Sequence, residues 1–174
     1  HCNGSSTTLG ASGADDYSWS PSTDLSATNI SNPVASNTST TTYTVTGTDA
    51  NNGCFATDAV VVTAYPVFSS GEISSTGETI CTGDDPGLIN STTAASGGDG
   101  TITYQWKKNT TDIAADQASY DPSVSDGAAN YTRQAKDGTC NISWETSAGS
   151  WTVTENSTPT ISNQPSNGSD VCVG

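Results

Sequence analysis

YSWSP (residues 17–21) and YQWKK (residues 104–108), 87 positions apart, are the strings on which the fold turns. In each, a Tyr and a Trp two positions apart share one face of an extended chain, which is the period of a strand and not of a helix. The surroundings match as well. ASGAD (residues 11–15) precedes the first string and ASGGD (residues 95–99) the second. TYTV around Tyr43 and NYTR around Tyr131 follow, 88 positions apart, and then NGC ending at Cys54 and DGTC ending at Cys140, 86 apart. Three Cys-x-Gly strings, at Cys2, Cys81 and Cys172, mark where each copy starts. Landmarks kept in this order define an internal repeat, with the length differences confined to turn-like stretches.

Turn chemistry separates the strands. Asn52-Gly53, Asp126-Gly127, Asp137-Gly138 and Ser20-Pro21 supply the corners, either through positive φ or through a fixed proline. With about seven short strands expected per copy, the economical architecture is the β-sandwich. The predicted fold is therefore all-β: two tandem Ig/PKD-like β-sandwich modules, with essentially no helix. The first module covers residues 1–66, ending where AVVVTAY meets Pro66. The second covers 67–157, ending after WTVTEN, and residues 158–174 open a third, with a strand expected at PTIS (residues 159–162). The predicted core aromatics are Tyr17, Trp19 and Tyr43 in the first module and Tyr104, Trp106 and Tyr131 in the second.

Composition narrows the function. The chain holds 26 Ser and 29 Thr, 14 Asp against 4 Glu, 32% hydrophobic residues and a net charge of −14. Such a balance argues against phosphate neutralisation on nucleic acid or anionic lipid. No apolar run approaches the roughly 18 residues of a membrane span, and no signal peptide opens the sequence, so an interior piece of a longer or processed protein is expected. Low hydrophobicity with high charge warns of disorder. Here, however, the 4 Trp, 6 Tyr and 5 Cys lie inside alternating segments.

The repeat predicts disulfides Cys2–Cys54 and Cys81–Cys140, each within one module, with Cys172 left for a partner outside the chain. Each closed loop would contribute about 4 kcal/mol at most. Buried free thiols are the alternative. Disulfides imply an oxidising compartment, hence an extracellular or periplasmic setting. The tyrosine-corner spacing of antibody domains is absent, since Tyr43 and Tyr131 precede the later cysteines by eleven and nine positions. The bridge is expected to tie the start of each module to its last hairpin.

Chemistry is sparse. His1 is the sole histidine, so no Ser-His-Asp or Cys-His arrangement assembles within these residues, and the chain is expected not to be an enzyme. The carboxylate pairs Asp15/Asp16 and Asp84/Asp85 lie in turn sequences, where Asp caps backbone. No cofactor is expected; structural calcium at Asp49, Asp84 or Asp85 is the one metal candidate, without an EF-hand pattern. All four bases, Lys107, Lys108, Arg133 and Lys136, fall in the second module, giving an expected small basic patch or aggregation-blocking edge lysines. Trp144 and Trp151, with Lys107 and Lys108, are the candidates for glycan contact. Nine Asn-x-Ser/Thr sequons, at Asn3, Asn29, Asn37, Asn90, Asn109, Asn130, Asn141, Asn156 and Asn167, are candidate glycosylation sites.

YSWSPSTDLSATNISNPVASNTSTTTYTVTGTDANNGC (residues 17–54) resembles the PKD/Ig-like module of Bacteroidetes cell-surface adhesins of the SprB gliding-motility type. ICTGDDPGLINSTTAASGGDGTITYQWKKN (residues 80–109), continuing to Tyr131 and Cys140, is similar to the companion Ig-like repeat. The resemblance implies β-sandwich modules, type IX secretion and surface display, and it carries no catalytic residues. The expected function is a structural or adhesive segment of a long extracellular adhesin or fibre, acting as a stalk with glycan contact. Its expected partners are neighbouring modules and surface polysaccharide, without nucleic acid or membrane insertion. Two alternatives stand beside it: an accessory array of a secreted hydrolase, and a filament subunit that assembles by strand or module complementation.

Overall fold

The computed structural model describes residues 1–162. Cys172, Asn167 and most of the 158–174 opening therefore lie outside the described residues. The described chain is all-β, with one 3-10 turn at Val124–Asp126 and no α-helix.

The first sandwich contains β1 (Thr7–Thr8), β2 (Asp16–Ser20), β3 (Val34–Ala35), β4 (Thr41–Thr48) and β5 (Phe55–Val62). Antiparallel β2-β4-β5 forms its larger sheet and β1-β3 its smaller one. Alternation decides which side chains meet. In β4, Tyr43 and Val45 are buried while Thr42 and Thr44 face out. With Trp19 and Val62 from the large sheet, Ala35 from the small one and Leu9, they form a single apolar cluster.

The second sandwich contains β6 (Glu72–Ile73), β7 (Glu78–Cys81), β8 (Ser91–Thr93), β9 (Thr103–Lys108), β10 (Thr111–Ala115), β11 (Ala129–Lys136), β12 (Glu145–Thr146) and β13 (Trp151–Asn156). Its main sheet runs β10-β9-β11-β13-β7, with β12 also on β11, and β6-β8 forms the second layer. Ile73, Ile89, Trp106, Ala129, Tyr131 and Val153 make a separate core. The first sandwich has five strands where about seven are expected, and residues 159–162 carry no strand.

Two side-chain hydrogen bonds recur in both copies. Trp19 Nε1–H donates to Ile30 O at 2.9 Å and Trp106 Nε1–H to Gln117 O at 2.8 Å, each eleven residues downstream. Tyr17 and Tyr104 are only half-buried. Their hydroxyls accept the backbone N–H of Ala14 (3.2 Å) and Ala95 (3.1 Å), so both rings brace a loop while both indoles fill a core. In the second sandwich β13 is flanked by parallel β7. In β5 of the first sandwich, all residues but Val62 are exposed.

Arg133 departs most from expectation. Register pairs it with Trp106, as Val45 is paired with Trp19, so a guanidinium occupies the inward position that a valine fills in the first copy. It is fully buried and no part of a surface basic patch. Nε–H donates to Ser147 Oγ at 2.9 Å, and Nη1 donates to Ser91 Oγ and Ala118 O, both at 2.7 Å. Nη2 reaches Ser70 O, Glu72 O and Thr93 O at 3.2–3.3 Å. The Tyr104 ring lies 4.8 Å from the guanidinium carbon. Burial lowers its pKa from the ordinary arginine value. Four of these acceptors sit on β6, on β8 or just before β6, and Ala118 and Ser147 in the loops after β10 and β12, so Arg133 ties the small layer to the main sheet.

Replacing Arg133 with Met fills similar volume but strands several buried acceptors. Each stranded group costs about 1–3 kcal/mol before water relieves it, so a net loss on the order of 3 kcal/mol is expected. Denaturant unfolding followed by tryptophan fluorescence reads it, and an unchanged midpoint would contradict the crosslinking role.

Tyr131 carries a buried hydroxyl without a hydrogen-bond partner. Burial chiefly, and then the charges of Asp126, Tyr120 and Glu78, push its pKa from 10.0 up to about 12. The folded state thus favours the neutral phenol, and this contribution is complete below the unfolded value and lost as pH climbs from there toward the folded one. The second sandwich should weaken over that alkaline window, and Tyr131→Phe should flatten the loss. Unfolding midpoints measured against pH check this.

Candidate functional site

The junction between the sandwiches brings together two of the predicted cysteines, Cys2 and Cys140. Cys2 opens the chain beside Tyr65, with which it forms a parallel bridge. Asn3 N–H donates to Tyr65 O at 3.0 Å and Tyr65 N–H donates to His1 O at 2.9 Å, so the N-terminus lies along the strand by which the first sandwich exits. The chain then turns through Pro66. Gly98 N–H donates to Pro66 O at 3.0 Å, and a Cβ on Gly97 would stand 2.0 Å from Val67 O. Only glycines, at φ +81° and +56°, allow the linker to lie this close on the second sandwich.

A disulfide closes the junction. It joins Cys2 to Cys140, 138 positions apart, with Cα atoms 5.5 Å apart. This replaces the expected pairs Cys2–Cys54 and Cys81–Cys140, and the reason is distance along the strands. Cys54 precedes β5, whose eight residues carry the chain about 26 Å at ~3.3 Å per residue toward the pole where Cys2 lies. A disulfide needs Cα atoms within about 7 Å. The second sandwich repeats the geometry. Cys81 pairs with Asn156, beyond the start of β11, whereas Cys140 follows the end of β11. Each sandwich thus carries its two cysteines at opposite poles. Cys54 and Cys81 are free and exposed among the described residues.

The loop bearing Cys140 is held by one carboxylate. Asp137 is buried, and its Oδ1 accepts N–H from Thr139, Cys140 and Asn141 at 2.7, 2.6 and 2.8 Å. Its Oδ2 packs against Gly98, where a Cβ would stand 1.7 Å away. One side chain therefore links the cysteine loop to the glycine pair that seats the linker. Asp49 holds the equivalent loop before Cys54. Its Oδ1 accepts Asn51 N–H at 2.8 Å, and that hydrogen bond leads the causes that lower its pKa.

The remaining candidates are scattered. Asp84 Oδ2 accepts Cys81 N–H at 3.2 Å, and Asp85 is exposed. No three His, Cys, Asp or Glu side chains gather into a metal-holding group among the described residues, so Asp49, Asp84 and Asp85 are not brought together. Lys107 pairs with Asp112, and Lys108 with Asp126 at 3.1 Å. Trp151 packs on the second core with its Nε1–H 3.4 Å from Glu78 Oε1. Trp144 is exposed, with Lys136 Nζ 4.6 Å from its ring centroid. Register sets Lys108 and Trp151 on either side of Tyr131 near the start of β11, whereas Trp144 precedes β12 at its other end and stands apart from them. His1 Nε2 lies 3.1 Å from Asn37 Oδ1.

The sequons divide by burial. Asn37 is buried, and its Nδ2 donates to Ser39 O and Val62 O, which takes it out of the acceptor set in the folded chain. Asn3, Asn29, Asn90, Asn109 and Asn156 are exposed, while Asn130 and Asn141 are half-buried. Asp137, Gly97 and Gly98 were not among the predicted site residues. The ASGGD string that marks the repeat contained both glycines, and the DGTC string contained the aspartate.

No known family profile matches the sequence, and no curated protein matches it either. Solved structures do. The I-band fragment I67-I69 from titin aligns over 90% of this chain and 62% of its own, at 13% identity and a TM-score of 0.60. An E-to-A variant of the same three-Ig titin segment aligns over 94% and 64%, at 14% identity and 0.62. The N-terminal four Ig domains of Dscam1 align over 89% and 42%, at 12% identity and 0.52. The chain thus has the fold of a tandem of Ig-like sandwiches and spans under two thirds of these structures.

Gly98→Ala puts a Cβ into the Asp137 carboxylate at a positive φ. The expected result is a lower yield of the Cys2–Cys140 bond on oxidative refolding, with both cores still formed. Peptide mapping after alkylation reads the yield, and an unaltered yield would separate Gly98 from the cysteine loop.

Proposed function

We propose that this chain is a spacer segment of a long surface adhesin or fibre displayed outside the cell, of the Bacteroidetes kind that its sequence resembles. The supporting observation is the Cys2–Cys140 bond, which crosses the junction instead of stapling either core. A covalent tie between successive sandwiches fixes spacing and direction along an array, which is what a stalk needs and what a lone binding module does not. A disulfide with this role also fits an oxidising, extracellular setting. Ig-like sandwiches in series contact mainly their neighbours, so length grows with module number. The role requires no catalytic residue. Exposed Trp144 beside Lys136 offers an aromatic surface for contact with polysaccharide.

Small-angle scattering tests the spacer role. Cys2→Ser, or mild reduction, should raise the radius of gyration while circular dichroism and tryptophan emission stay unchanged. Identical scattering with and without the bond would leave the staple no part in setting the spacing.

A further inference from the structure

The two exposed thiols sit in structural copies of the two positions that form the disulfide. Cys2 and Cys81 each begin a Cys-x-Gly turn with the same bonds. Ser5 N–H donates to Cys2 O and Asp84 N–H to Cys81 O, both at 3.0 Å, around Gly4 (φ +82°) and Gly83 (φ +94°). The residue after each cysteine donates to the exit strand of its own sandwich, Asn3 to Tyr65 O at 3.0 Å and Thr82 to Asn156 O at 2.9 Å. Cys54 and Cys140 hold corresponding places, in loops closed at the cysteine in one copy and one residue after it in the other. Each follows an aspartate at the end of the central strand, and that aspartate both caps the loop and closes it. Asp49 N–H donates to Cys54 O at 2.9 Å and Asp137 N–H to Asn141 O at 3.0 Å. The loop before Cys54 is two residues longer. Both sandwiches therefore present a loop cysteine at the leading pole and a turn cysteine at the trailing pole, and the junction between them joins the trailing cysteine of the first to the leading cysteine of the second.

We propose that Cys54 and Cys81 are the outward halves of this same staple. Cys54 takes the Cys-x-Gly cysteine of a sandwich stacked before the first, and Cys81 takes the loop cysteine of a sandwich stacked after the second. The occupant in each case is another module of this repeat, and the bonds form a ladder of inter-module disulfides. The inference rests on the serial-array reading. Each bond forms by exchange with a small-molecule disulfide such as oxidised glutathione. One cysteine thiolate attacks it, expelling one glutathione thiolate and leaving a mixed disulfide. The partner thiolate then attacks the protein sulfur of that mixed disulfide and expels the second. Two protein thiols are oxidised to a disulfide, one glutathione disulfide is reduced, and the two protons end on the two glutathione thiols.

Two copies of this chain can form the proposed junction, because Cys81 of one copy faces Cys54 of the next when they stack head to tail. Such a heterologous contact does not close and gives a series of oligomers. The experiment incubates concentrated Cys172→Ser chain in a glutathione redox buffer, resolves it without reductant and maps the linked peptides. Expected are a ladder of oligomers in which Cys54–Cys81 links far exceed their random-pairing share, loss of that ladder in Cys54→Ser and in Cys81→Ser, and an intact Cys2–Cys140 bond throughout. Cys54–Cys54 and Cys81–Cys81 links at random proportions, or no links at all, would overturn the proposal while leaving the spacer reading in place. A Cys81–Cys172 bond within one wild-type chain would also overturn it. Absence of the Cys2–Cys140 bond would remove the support for both readings.

Discussion

Everything in this chain is organised around burying one tryptophan and one tyrosine per sandwich between sheets that have little else apolar to offer. An indole can be buried only if its N–H finds an acceptor, because an unpaired donor away from water costs as much as a lost hydrogen bond. Trp19 and Trp106 meet that demand identically, each on a carbonyl eleven residues downstream. The loop that supplies the carbonyl is thereby pulled across the open side of the core. Register between the central strands follows, since a one-residue slip would turn both aromatics of a pair to solvent. The threonines that fill the alternate positions stay outside and keep a strand rich in hydroxyls soluble.

The second sandwich answers the scarcity of apolar surface with a charge. Among the described residues the partners of Arg133 are carbonyls and hydroxyls, on β6, on β8, just before β6 and in the loops that follow β10 and β12, with no carboxylate. Delocalised and planar, a guanidinium carries five N–H donors in a fixed fork, against three on an ammonium and none on an aliphatic side chain. The first sandwich, with Val45 at that position, has a smaller second layer and relies on Leu9 and Ala35 for closure. The same fold is thus closed by apolar contact in one copy and by a buried polar crosslink in the next.

Covalent chemistry is kept away from both cores. The disulfide sits at the pole where one sandwich hands over to the other, next to a proline and two glycines that let backbones touch. It constrains the relation between domains more than the stability of either one, and this separates it from the inter-sheet bridge of antibody domains. Asp137 connects the local and the global: it shapes the loop, places Cys140 and leans on Gly98 with one carboxylate.

The alternating strings YSW, TYTV, YQW and NYTR, their repeat spacing and the turn residues between them determined the all-β tandem by themselves. Strand period and turn chemistry are local properties, and two copies in one chain make them easy to read. The partners of the cysteines were not legible, because position along a repeat says which residues are equivalent and not which pole of a sandwich they occupy. Strand direction and length place Cys2 beside Tyr65 and Cys54 a whole strand away, and only the packed structure contains that distance. The same holds for Arg133, whose sequence neighbours Tyr131 and Gln134 announce a strand but not the layer of carbonyls waiting across the core. Pairing and burial depend on which distant segments meet, and tertiary structure alone decides that.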